Sequence, residues 1–160
     1  SSAARNKEKI MEQKKFDGIF TALLTPFDKN DCVNTKALSE LVKFNLGMGV
    51  RGFYVTGSTG EAFLLSTEER KLVMETVKNA APDATLIAHI GSPNAKEAEV
   101  LAKYAKELGY DAISSVAPIY YKYSFEEIKN YYFKLADVAS LPMLVYHIPA
   151  FSGVAMGTGV

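Results

Sequence analysis

Apolar and polar positions in this chain change between two periods, and the change recurs five times. Near-continuous apolar runs occupy residues 18–27 (GIFTALLTPF), 51–57 (RGFYVTG), 85–91 (TLIAHIG), 111–118 (DAISSVAP) and 142–149 (PMLVYHIP), and each reads as a buried strand. Between them the spacing becomes helical. Asn34 can cap a helix that places Leu38, Leu41, Val42 and Leu46 on one face and ends at Gly47 and Gly49. Ser66-Thr67-Glu68-Glu69 has the form of a capping box, opening a helix that carries Leu72, Val73, Val77 and Ala80 and stops at Pro82. Asn94 caps a third helix running to Gly109, and Ser124-Phe125-Glu126-Glu127 opens a fourth that reaches about Ala139.

The strand starts lie about 26 to 34 residues apart, the length of one βα unit. Apolar strands flanked by amphipathic helices predict a parallel sheet covered by helices. Two architectures satisfy that pattern. One is an open five-stranded α/β sheet, whose usual size suits 160 residues; the other is the first five units of an eight-unit barrel, which needs about 250. Polar residues separate them. Thr25, Ser58, Thr59, Tyr120, Tyr121 and Tyr146 fall at or just beyond the carboxyl ends of predicted strands, so almost every strand contributes to one rim, as in a barrel. No G-x-G-x-x-G follows the first strand, which counts against a dinucleotide site.

Charge narrows the partners. Lys plus Arg equals Asp plus Glu at 18 each, so no positive excess exists to recruit nucleic acid or an anionic membrane surface. A small neutral or anionic metabolite is the expected partner. No run approaches the roughly 20 apolar residues of a membrane span. The one cysteine, Cys32, cannot form an intrachain disulfide and fits a reducing cytoplasm; it reads as a loop or core residue. Residues 1–15 are polar and charged, without an apolar stripe, and are expected to be a flexible tail ahead of a domain over 16–160.

The candidate chemistry centres on Gly57-Ser58-Thr59-Gly60-Glu61, where the second strand stops in a turn of two glycines and two hydroxyl residues. Glycines let backbone N–H groups approach a ligand closely, and Ser58 and Thr59 add short donors, so the turn can hold an anion. A plain strand-to-helix loop explains the same peptide. Glu61 reads as a residue that caps the turn. His89 and His147 lack ligand-like spacing and read as strand residues, so no metal site is expected. Tyr146 alone reads as a rim tyrosine.

Residues 16 to 154 resemble the N-acetylneuraminate lyase and dihydrodipicolinate synthase family. The matching blocks are GIFTALLTPF, GFYVTGSTGEAFLLSTEER at 52–70, LIAHIGS at 86–92, LGYDAISSVAPIYYKYSFEEI at 108–128 and LPMLVYHIPAFSGV at 141–154. The resemblance implies a (β/α)8 TIM barrel of which this chain covers about five βα units, hence an incomplete barrel domain. Strands one and five would then each present an open edge. It also implies a class I aldolase that forms a Schiff base between a lysine and a 2-keto acid, without a metal or diffusible cofactor. Ser58 and Thr59, following Gly57, would hold the pyruvate carboxylate; Tyr146 would carry the proton of the C4 hydroxyl.

Tyr120 and Tyr121 match interface positions, Tyr121 a tyrosine that can complete a neighbouring subunit's site. The family's homotetrameric assembly and cytoplasmic location are expected with them. Local details are similar to the lyase branch. Ala62-Phe63 follows Glu61, and Ala150-Phe151-Ser152-Gly153 lacks the arginine that synthases use for a dicarboxylate. Sialic acid and pyruvate are thus the expected small molecules. The family's lysine lies on a sixth strand, past Tyr146 by more than residues 147–160 allow, so it is expected to be missing here. The alternatives are an inactive truncated barrel acting as an interaction subunit, and a sister 2-keto acid aldolase or dihydrodipicolinate synthase.

Overall fold

The computed structural model describes residues 15–155. Five strands alternate with helices: β1 (Phe20–Ala22), α1 (Thr35–Gly47), β2 (Gly52–Val55), a 3-10 turn (Ala62–Leu64), α2 (Thr67–Ala80), β3 (Thr85–His89), α3 (Ala95–Glu107), β4 (Ala112–Val116), α4 (Phe125–Ala139), β5 (Met143–Tyr146) and the short α5 (Pro149–Ser152). The strands form one sheet in the order β1-β2-β3-β4-β5, every neighbouring pair parallel. A doubly wound sheet reverses its strand order at a switch point, where its ligands bind. This sheet has none; each strand is laid beside the last, as the staves of a barrel are.

Helix starts follow the chemistry of their caps. Asn34 and Asn94 accept from the backbone N–H of Ala37 and Lys96. Both capping boxes are complete: Ser66 with Glu69 before α2, and Ser124 with Glu127 before α4. Each satisfies donors that a helix N-terminus otherwise leaves unpaired. Ser124→Ala is therefore expected to lower stability by about 1 kcal/mol, read as a shift of the urea midpoint at unchanged slope.

Strand alternation separates two faces. Phe53, Val55, Leu86, Ala88 and Ile113 point to the helices and are fully buried with Leu38, Val42, Val73, Met74, Val77, Leu101 and Leu135. Burial of each such side chain is worth about 1.5–3 kcal/mol, so this layer fixes the register of the sheet. Along the other face the register aligns Ala22 with Tyr54 and Ile87, His89 with Ser114 and Leu144, and Val116 with Tyr146. That face is more polar and holds the site.

Several expectations change. The first run is a strand only over Phe20–Ala22. Beyond it Thr25 turns to bond Gly60 O, and Phe27 forms an antiparallel bridge with Val33. At the far end Pro149 starts α5, which was not anticipated within the fifth apolar run; its fixed φ is already helical at a first-turn position. Lys15 is tied down: its ammonium pairs with Asp111, and its carbonyl accepts from Thr85 Oγ1 at 2.9 Å. The rest of the expected tail, and residues 156–160, lie outside the described residues.

Candidate active site

The second strand ends against an aromatic ring. A Cβ at Gly57 would stand 2.5 Å from the Tyr54 ring, so only glycine lets the backbone cross it there. Thr56, just before, holds a left-handed φ of 53°, uncommon for a β-branched residue. The turn then closes on itself, with the N–H groups of Gly60 and Ala62 donating to Gly57 O and that of Glu61 to Ser58 O. Thr25 Oγ1 donates to Gly60 O at 2.8 Å and clamps the turn from β1's side. Among the described residues the amides of Ser58 and Thr59 donate to no protein acceptor. They are available to an anion.

Ser58, Thr59 and Tyr146 line one cavity of about 310 Å³ with Ala22, Tyr54, Ser114, Leu144 and Val145. The Tyr54 and Tyr146 rings meet edge to face, their centroids 5.9 Å apart. Tyr54 Oη donates to Ser114 Oγ at 2.9 Å, and Ser114 Oγ donates to Leu144 O at 2.8 Å, a relay crossing from β2 through β4 to β5. Burial pushes the Tyr54 phenol up to about 12, helped by the neighbouring Tyr146 and opposed by Ser114 and Arg70. Tyr54 is thus a neutral hydrogen-bond donor at ordinary pH. The sequence reading passed over Tyr54; its signal was the period of two along β2, which sets Gly52 and Tyr54 on the face that Ser58 extends.

Behind the turn sits a buried polar node. His89 is 1% exposed, its Nδ1 2.9 Å from Thr56 O and its Nε2 3.4 Å from the Val116 amide. The amide can only donate, so Nε2 accepts and Nδ1 carries the proton. Burial, reinforced by the nearby Arg70 charge and opposed by the Thr56 carbonyl, pushes this imidazole down to about 3. Arg70 donates through Nη2 to His89 O at 2.7 Å and through Nη1 to Gly91 O at 2.9 Å. His89 is the strand residue expected. Its place in a node with Arg70 was not.

The remaining predicted residues divide. Tyr120 and Tyr121 do not join the cavity: they are 89% and 68% exposed and line a separate hollow with Tyr123, Phe125 and Ile128. Glu61 does not cap the turn. It enters the 3-10 segment in a left-handed conformation without a side-chain cap bond, and it lines the adjoining apolar cavity with Phe63, Ile119 and Phe151. No lysine lines the Ser58–Tyr146 cavity among the described residues.

Comparison with known proteins decides the family. The profile described as "Dihydrodipicolinate synthetase family" matches residues 15–159. The chain belongs to that family. N-acetylneuraminate lyase 2 of Escherichia coli O6:H1 is 49% identical over 144 residues, covering 89% of this chain and 47% of that protein. The solved structure of CdNal from Clostridium difficile in complex with mannosamine superposes with a TM-score of 0.87 at 46% identity, covering 89% of this chain and 50% of its own. A Ruminococcus gnavus sialic acid aldolase, solved as its catalytic lysine mutant, gives 0.88 at 34% identity, with 91% and 48% covered. The five staves are part of a TIM barrel, and the chain spans about half the length of the curated relatives it matches.

Proposed function

We propose that this chain carries the carboxylate-binding turn and the proton-transferring tyrosine of a class I aldolase that cleaves N-acetylneuraminate to pyruvate and N-acetylmannosamine. The observation that carries the reading is the single cavity shared by Ser58, Thr59 and Tyr146, three residues from opposite ends of the described fold. The amides and hydroxyls of Ser58 and Thr59 hold the carboxylate. Tyr146 takes the C4 hydroxyl proton as the C3–C4 bond breaks and its electrons pass to the iminium at C2. In this reading the lysine that forms the iminium is supplied from beyond the five units described; the solved Ruminococcus form is a catalytic lysine mutant.

Tyr120 and Tyr121, exposed on the rim, serve contacts between subunits of a cytoplasmic homotetramer in this reading. The high identity to lyases supports sialic acid over a dicarboxylate precursor. The test has two arms. Pyruvate titrated into the isotopically labelled chain should shift the amides of Ser58, Thr59 and Tyr146. A chain extended through the sixth strand should release pyruvate from N-acetylneuraminate and be trapped as a covalent pyruvate adduct by borohydride. Shifts confined to other residues, or an extended protein that forms no adduct, would refute the reading and leave the interaction subunit.

A further inference from the structure

Arg70 is 4% exposed, yet among the described residues it forms no ion pair. Its Nη1 and Nη2 rest on the carbonyls of Gly91 and His89, and its Nε has no partner among the described residues. Glu97 faces it through space but accepts from Ser92 Oγ at 2.9 Å. A buried cation without a carboxylate is costly and is normally paired. Carbonyl dipoles stabilise it without cancelling its net charge.

The position of that charge gives it a use. The segment bearing Ser58 and Thr59 is closed at both ends on His89. Thr56, at its start, gives its carbonyl to the His89 ring and its hydroxyl to His89 O at 2.8 Å. Arg70, at its end, donates to the same oxygen. Its field also reaches the Tyr54 hydroxyl inside the cavity, where it opposes the effect of burial. In a poorly hydrated surround such a field is weakly screened.

We propose that Arg70, seated on the carbonyls of His89 and Gly91, supplies the positive field that makes the Ser58–Thr59 turn select a carboxylate over a neutral group. The inference rests on the keto-acid reading and adds the source of its charge selectivity. Arg70 touches no substrate; it is a positioning and electrostatic residue. The experiment compares pyruvate with pyruvamide, its neutral isostere, by calorimetric titration of the full chain and its Arg70→Gln and Arg70→Lys variants.

The unaltered chain should prefer pyruvate, and Arg70→Gln should weaken pyruvate binding about tenfold while leaving pyruvamide binding in place. Arg70→Lys, which keeps the charge, should retain the preference. Equal weakening of both ligands in Arg70→Gln would make Arg70 a structural brace only and overturn the inference. Should Arg70→Gln fail to fold, Arg70→Lys decides: a preference lost there overturns it, a preference kept supports it. An unaltered chain that binds neither molecule would remove the keto-acid reading and this inference with it, whereas binding whose preference survives Arg70→Gln removes the inference alone.

Discussion

Gly52→Ala is expected to destabilise the chain by about 3 kcal/mol or more, enough to lower its urea midpoint well below that of the unaltered protein. A Cβ at this position would stand 2.4 Å from Thr85 O and 2.4 Å from the Phe20 ring. The ring can rotate away. The carbonyl cannot, because Gly52 is paired with Thr85 in the β2–β3 ladder and with Phe20 in the β1–β2 ladder. The chain must shift one ladder or distort the other. Gly47→Ala provides the control: a Cβ there meets nothing within 4 Å at the end of α1, and alanine there should leave stability unchanged or raise it by about 0.5–1 kcal/mol. Equal midpoints for the two variants would show that the β2 backbone is not confined between its neighbours.

The difference between these glycines marks how far the chain could be read before its structure was known. Gly47 announces itself, since a glycine after a periodic apolar stripe ends a helix. Both capping boxes are equally local, three residues from serine to glutamate, and both form. Gly52 looks like any glycine at the start of an apolar run; its constraint comes from Phe20 and Thr85, each about 32 residues away. Ser58, Thr59 and Tyr146 were legible as a group because strand ends in a parallel sheet face the same rim, whichever strand they follow.

Tyr54 lies within a strand rather than at its end, and only the alternation along β2 marks it. Glu61 failed as a cap for a related reason. The backbone at that residue is left-handed, and its side chain makes no cap bond. Arg70 stands between Glu69 and Lys71 in the chain, yet the helical period puts it on the buried face of α2 with Val73, Met74 and Val77. Its partners, the carbonyls of His89 and Gly91 at the end of β3 and just beyond it, are what no spacing along the chain reveals.

The same node gives the second large effect, a loss of stability in mildly acid solution that His89 should dominate. Its imidazole is held neutral in the fold, with the pKa pushed down to about 3 from an ordinary 6.5. The groups around it agree: the Thr56 carbonyl and Val116 amide fix one neutral tautomer, the Tyr54 and Phe63 rings pack near it, and the Arg70 charge opposes a second cation. The unfolded chain therefore binds more protons than the folded one between those two values, so stability rises with pH across that window. The contribution is complete above about pH 6.5 and is lost as pH falls toward 3.

Carboxylates complicate only the lower part of this window, since Glu69 and Glu127 are held below the usual range by their Ser66 and Ser124 caps. Between about pH 6.5 and 5 the imidazole should cost about 2 kcal/mol, or roughly 5 °C in melting temperature. His89→Gln keeps one donor and one acceptor and removes the titration. Its melting temperature should be lower at pH 7 but nearly flat down to pH 5, so that the two curves converge. Parallel curves would mean that the folded and unfolded chains protonate His89 alike, so that the fold does not hold the imidazole neutral.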